Sequence, residues 1–285
     1  MAALLANLLP LGLILLMFVV GLRLRPAALK GVLGRPKALA TGLMVQLLAL
    51  PVVALLLGTL FGLTAPMLLG LVLVAAAPGG VTSNYIAHLA KAELALSAAM
   101  TLVTTALASI TIPLVLGLTG LGEISGASGL TGLSMIMLVV AVTPMALGVG
   151  VAAWKPRLAA TVLSGLEPVA KLVFAAMVLA TFVQNWGPMQ ANLGTVGPAV
   201  IGLNLAALSL AFAAGQGMRL TTPDRRAIMV EASLQNVAVA LFVAGAVLGQ
   251  PAASVPALIY AMMMNLSALV QIMAGRRDPA ATPVE

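Results

Sequence analysis

The chain has no cysteine and one histidine, His88. A disulfide framework and a thiolate metal site are therefore unavailable to it. An intramembrane hydrolase is disfavoured too: it needs a nucleophile with a base beside it, and His88 stands apart from the polar clusters of the chain. Charge is equally scarce. Only 7% of the 285 residues are Asp, Glu, Lys or Arg, and 62% are hydrophobic, whereas a soluble domain carries about a quarter charged residues. Too few polar groups remain to cover a water-facing surface, so the surrounding solvent is lipid. The strict polar/apolar alternation of a membrane β-barrel is missing. In its place come apolar runs of about 20 residues, long enough to cross roughly 30 Å of hydrocarbon as helices. No stretch is long or polar enough for a separate soluble domain. The expected fold is all-α, a polytopic membrane protein forming one transmembrane domain.

The net charge of +7 would suit nucleic acid, but the basic residues lie in short loops between apolar runs, which points to a bilayer instead. Nine spans are predicted, at 7–22, 38–57, 66–89, 94–117, 130–153, 168–186, 197–217, 223–249 and 252–274. The first is followed by Arg23 and Arg25. It lacks a basic n-region and a small-residue cleavage site, so it reads as a retained span rather than a signal peptide. All 14 Lys and Arg residues fall on one side of this arrangement, and the loops at 58–65, 118–129, 187–196 and 250–251 contain none. The positive-inside rule then puts the N-terminus outside and the C-terminus in the cytoplasm of a bacterial inner (plasma) membrane. Residues 275–285 are expected to be a disordered tail.

Two spans are interrupted. The third carries Pro78-Gly79-Gly80, then Thr82, Ser83 and Asn84; the eighth carries Glu231, Gln235 and Asn236. They are five crossings apart and so run in opposite directions. Placing Ser83-Asn84 on Gln235-Asn236 registers the two spans without a gap. Paired interruptions in opposite directions are the sequence sign of inverted repeats, predicted at about 7–117 and 130–274. Proline removes a donor and clashes with the preceding turn, and two glycines add freedom. Pro78, Gly79 and Gly80 are thus expected to unwind span three at mid-bilayer, a simple kink being the alternative. Freed backbone at that depth must be buried in protein or line a polar cavity.

Glu231 is the one acid predicted inside a span; Glu93, Glu123, Glu167, Asp224, Asp278 and Glu285 map to loops, span edges or the tail. Thr222-Pro223 reads as a helix cap and first-turn proline, which sets Glu231 roughly 12 Å deep at about 1.5 Å per residue. An intramembrane acid marks a functional site by default; neutralisation by Arg225 or Arg226 is the alternative. Gln235 shares its face at i+4. Ser97, Thr101, Thr104 or Thr105, and Ala108 form a small, hydroxyl-rich stripe on span four. It suits helix packing as well as cation binding, and Gln46 is a lone amide in span two. Hydroxyls, amide carbonyls, one carboxylate and freed backbone carbonyls are hard oxygen ligands, as a small cation requires.

At these residues the chain resembles the bile acid:sodium symporter family, within the larger group that includes arsenite and auxin carriers. The matching pieces are PGG-x-x-SN at 78–84, LAKAELALS at 89–97, E-x-x-x-QN at 231–236 and the proline-rich loop at 25–37. The resemblance implies a core and a panel domain with two broken helices crossing in the core, in the nine-helix form that lacks the first helix. It implies two sodium ions. The first site maps onto Ser83, Asn84, Ser97, Thr101 and Glu231. The second maps onto Gln46, Glu231 and Gln235 with the carbonyls of Ala232 and Leu234. The substrate cavity maps onto Thr82, Asn236 and Asn265. Val81 and Met264 stand where relatives often carry threonine and histidine, so a bile acid is not assumed. The missing cysteine argues against the arsenite branch. The expected function is sodium-coupled symport of a small organic anion by a monomer, not an enzyme. A proton-coupled or uncoupled carrier is the alternative, and a passive channel a further one.

Overall fold

A computed structural model describes residues 2–24 (side chains from Leu9), 36–121 and 129–277. Most of the proline-rich loop, Glu123, Asp278 and Glu285 lie outside the described residues. Helix α1 spans Ala2–Arg23, and α2 runs over Pro36–Leu60 with a π-helical turn at Val45–Ala49. Next come α3, Ala65–Ala76, α4, Ser83–Leu89, and α5, Leu94–Thr119. Helices α6, α7 and α8 cover Gly129–Trp154, Pro156–Gln184 and Trp186–Gly217. The chain continues through α9, Thr222–Ser233, α10, Val237–Val247, and α11, Pro251–Arg276. Six of these, α2, α5, α6, α7, α8 and α11, are long and apolar enough to cross a membrane, while Leu9–Arg23, α3 and α10 are shorter apolar helices. The protein is therefore an all-helical, multi-pass membrane protein.

Several expected loops are helical. Residues 156–167 open α7 and residues 187–196 open α8. Pro156 occupies the first position of α7, where a missing N–H costs nothing. Only Asn185 separates α7 from α8. Its backbone N–H and its Nδ2 both donate to Thr181 O, at 3.0 and 2.9 Å, so the end of α7 is satisfied without a loop. Pro188 falls among the first residues of α8, whose N–H groups have no intrahelical partner anyway. Glu167 and Lys171 consequently sit within a membrane-length helix rather than at its edge, so Glu231, in the 12-residue α9, is not the one acid inside an apolar helical segment. At the far end, Gly275 and Arg276, expected in the tail, belong to α11. The cap of α9 is Thr221 rather than Thr222, accepting from Asp224 N at 3.3 Å.

Apolar contact between helices gains little in lipid, so close approach of small residues has to hold the spans together. Helix α1 packs on α6 and α7. A Cβ at Gly21 would overlap Met145 O, and one at Gly148 would overlap Phe18 O. Gly21→Ala is expected to destabilise by about 1–3 kcal/mol, the usual cost of overpacking. No described residue lies within 4 Å of a Cβ at Gly150, so Gly150→Ala should leave the melting temperature near wild type; equal melting of the two variants would refute this packing account. A second group of helices gathers elsewhere: α8 packs on α9, α11 and α2, α3 packs on α2 and α11, and α5 packs on α9.

The centre of that second group is made of the interrupted segments. Residues 69–80 and 230–244 are buried throughout. Between α3 and α4 the chain is non-helical over residues 77–82, and between α9 and α10 over 234–236. The two breaks satisfy each other's backbone: Gly80 N donates to Leu234 O at 2.7 Å and Asn236 N to Pro78 O at 2.9 Å. Gly79 and Gln235 thereby form an isolated antiparallel bridge. Non-helical backbone is thus buried in protein, as lipid demands. The first break is longer because Pro78 and two glycines open it. The second closes quickly, since the Asn236 side chain caps α10 through Val239 N at 3.3 Å. The gapless registration of the two spans therefore does not superpose the breaks themselves.

Candidate functional site

Glu231 lies in the third turn of α9, fully buried, directly before the second break. Its Oε1 accepts from Ser97 Oγ at 2.5 Å and its Oε2 from Thr101 Oγ1 at 2.9 Å. Both hydroxyls come from α5, where the i, i+4 spacing puts them on one face. Ser97 Oγ also reaches Asn84 Oδ1 at 2.9 Å, and Thr101 Oγ1 lies 3.5 Å from both Ser83 Oγ and Asn84 Nδ2. Ser83 and Asn84 open α4, so the first break swings them toward α5. Ser83, Asn84, Ser97, Thr101 and Glu231 therefore form one connected cluster of oxygen donors. Gly79 lies against it, leaving no room for a Cβ beside Glu231 Oε2, and its N–H donates to Thr104 Oγ1 at 3.4 Å.

Gln46 and Gln235 form the second part of the site. Gln46 sits fully buried on the π-helical turn of α2, a distortion that recurs at functional sites. Its Nε2 donates to Gln235 Oε1 at 3.5 Å. Among the described residues its Oε1 has no hydrogen-bond partner. An orphaned buried acceptor is costly and is what a cation would relieve. Gln235 Nε2 bonds Ala232 O at 2.7 Å, and Leu234 O takes the Gly80 N–H, leaving each carbonyl a second lone pair. Among the described residues no three His, Cys, Asp or Glu side chains cluster. One carboxylate among neutral oxygens suits a hard monovalent cation better than a transition metal.

Beside the crossover lies a cavity of about 420 Å³, within the roughly 300–1,000 Å³ range of ligand pockets. Val81, Thr82 and Asn236 line it on the crossover side, with Met264 from α11. Asn265 does not line it. That side chain is exposed and bonds its own helix, Nδ2 to Ala261 O at 2.6 Å, so of the three expected substrate residues the fold brings together Thr82 and Asn236. The opposite wall comes from α1 and α7 and includes Arg23, Glu167 and Lys171, which the sequence places at the edges of the predicted spans. A buried network behind the second break was also missed. Asn204 Nδ2 and Tyr260 OH both donate to Ser233 O, at 3.0 and 2.9 Å, Ser267 Oγ bonds Asn204 Oδ1, and Gln271 Nε2 reaches Ser233 Oγ at 3.0 Å. The signal that marked Glu231, a polar residue at membrane depth, would have found Asn204 and Gln271 too.

The sequence pattern of the Sodium Bile acid symporter family matches residues 10–191. The chain is 28% identical over 255 residues to an "Uncharacterized sodium-dependent transporter YocS" of Bacillus subtilis (strain 168), covering 89% of this chain and 78% of that one. It is 27% identical over 246 residues to the "Probable sodium/metabolite cotransporter BASS1, chloroplastic" of Arabidopsis thaliana, covering 86% of this chain and 61% of the plant protein. To the BASS2 protein of the same description in Oryza sativa subsp. japonica it is 26% identical over 276 residues, 96% of this chain and 65% of the relative. The chain thus spans less than two thirds of the plant proteins' length. The match covers α1 to the start of α8 and includes Pro78–Thr101 of the site, and on it the chain belongs to the sodium bile acid symporter family, a family of transporters and not of enzymes.

Proposed function

We propose that the chain is a secondary active transporter that carries a small organic anion together with sodium by alternating access. The observation that carries this reading is the donor set at the paired breaks: a fully buried carboxylate, neutral oxygens around it and an amide carbonyl without a partner. Unwound membrane helices offer such oxygens to sodium, and the relatives are described as sodium-dependent or sodium/metabolite cotransporters. One ion is assigned to Ser83, Asn84, Ser97, Thr101 and Glu231. A second is assigned to Gln46, Glu231, Gln235 and the carbonyls of Ala232 and Leu234. Two sodium ions with a monoanion move net positive charge inward, which the membrane potential favours by about 2.3 kcal/mol per charge per 100 mV.

The architecture behind this is nine crossings in two inverted repeats, with N-terminus outside, C-terminus cytoplasmic and a monomeric working unit in the inner membrane. Helices α1, α6 and α7 form the panel and the remaining helices the core. The cavity lies between them and reaches Arg23 at the basic end of α1, which corresponds to an inward-open state. Thr82 and Asn236 face the substrate there. Uptake by proteoliposomes of a carboxylate panel, in sodium and in choline buffer, tests the reading. Equal uptake in both would refute sodium coupling. A proton-coupled carrier is the second reading, because among the described residues no Lys or Arg pairs with Glu231. It predicts uptake in choline driven by an imposed pH gradient.

Gln46 separates the two ions. Its side chain belongs to the second assignment alone, so Gln46→Ala should lower the sodium Hill coefficient toward one while sodium still stabilises the protein. Unchanged cooperativity in sodium titrations would remove Gln46 from the site.

A further inference from the structure

Charged side chains that face a cavity between transmembrane helices are candidates for a substrate path, and three of them, Arg23, Glu167 and Lys171, line the wall opposite the crossover. Glu167 Oε1 receives both Arg23 Nη2 at 2.5 Å and Lys171 Nζ at 2.6 Å. Two cations thus share one carboxylate oxygen, and the cluster carries one positive charge in excess. Arg23 and Glu167 are mostly enclosed, with side chains 23% and 27% exposed, while Lys171 stands at the open side of the cluster, 66% exposed. A guanidinium has five donors in a planar fork, and its pairing with one oxygen leaves several for another carboxylate. Leu16, Val19 and Phe174 make the wall between the cluster and the crossover apolar, while the crossover end presents the neutral Thr82 and Asn236.

From this arrangement we infer that Arg23 and Lys171 form the anion-binding end of the transport cavity and take the carboxylate of an amphipathic monocarboxylate. The inference rests on the proposed transport function. Glu167 keeps the two cations placed, and the incoming carboxylate brings the cluster to neutrality. The apolar body of the ligand lies along α1 and α7, and its far end, bearing a hydroxyl or amide, meets Thr82 and Asn236. The cavity offers no other Lys or Arg among the described residues, so a dicarboxylate is disfavoured. The substrate bridges α1 and α7 to the crossover, so that its charge is bound on one side of the cavity and sodium on the other. A purely structural staple between α1 and α7 would give the same ion pairs but no ligand effect.

The two are separated by thermal-shift titration of the full-length protein in neutral detergent at saturating sodium. The probes are octanoate, 3-phenylpropionate and 10-hydroxydecanoate, each against its primary amide. The carboxylates should raise the melting temperature and the amides should not. Lys171→Met should weaken the carboxylate response at least tenfold, whereas Glu167→Gln, which removes the competing internal anion, should strengthen it several-fold. A gain of affinity cannot come from misfolding. Equal response to acids and amides, no response to any probe, or both variants shifting in the same direction overturns the assignment. A Lys171-dependent shift caused by added phosphatidylglycerol and by none of the carboxylates identifies a lipid headgroup and overturns it as well. The sodium-induced shift without probe is read separately: its absence in the wild type, with the carboxylate response intact, removes the sodium reading and leaves this one standing.

Discussion

Glu231→Gln is expected to remove most of the sodium-dependent stabilisation and to abolish sodium-driven transport. The carboxylate serves both ion assignments, and it is the one charged ligand in either. If sodium at about 100 times its Kd stabilises the native state by about 2.7 kcal/mol, a hundredfold weaker site leaves only about 0.4 kcal/mol. Glutamine keeps the volume and one acceptor oxygen, so the loss reports on charge rather than on packing. Glu231→Ala should show the same sodium defect with an added cost in stability, because Ser97 Oγ and Thr101 Oγ1 lose an acceptor. An unsatisfied buried donor costs about 1–3 kcal/mol. Here the cost falls toward the low end, since Ser97 Oγ retains Asn84 Oδ1 and Thr101 Oγ1 retains Ser97 O. The measurement is the melting temperature of both variants as a function of sodium. A wild-type sodium shift in the glutamine variant would remove both ion assignments together.

The double variant Gly79→Ala, Gly80→Ala should insert and remain monodisperse yet neither respond to sodium nor transport. Two effects act together. Alanine favours continued helix over glycine by about 1 kcal/mol per residue, which works against the break after Pro78. The steric effect is larger. A methyl at Gly79 would occupy the place of Glu231 Oε2, and one at Gly80 would come within 3.0 Å of Leu234 O and 3.2 Å of Gln235 O. The two breaks could no longer approach closely enough for the Gly80–Leu234 and Asn236–Pro78 hydrogen bonds. Gly79→Ala alone should carry most of the sodium defect, because it displaces the carboxylate itself. If the break were only a kink between packed helices, uptake would stay near normal. Normal uptake by the purified double variant in liposomes would therefore place the site elsewhere.

Composition and local chemistry were enough to read a helical membrane protein, because a chain with so few charges has no soluble option. Pro78-Gly79-Gly80 announced a break in the third span, since proline and glycine act through their own backbone. Glu231 stood out because an acid in an apolar run is conspicuous whatever surrounds it. These signals are local, and each survives without knowing the fold. The tertiary structure decided the rest. It paired the two breaks through Gly79 and Gln235, left Gln46 Oε1 without a partner on a π turn, and turned Asn265 away from the cavity that Met264 lines. It also carried α7 back to Pro156, which moved Glu167 and Lys171 from a supposed loop edge onto the cavity wall. A soluble helix shows its inward face as an apolar stripe. A helix in lipid is apolar on every side, so which face meets a neighbour is set by close approach, as at Gly21 and Gly148, and that information exists only once the helices are packed.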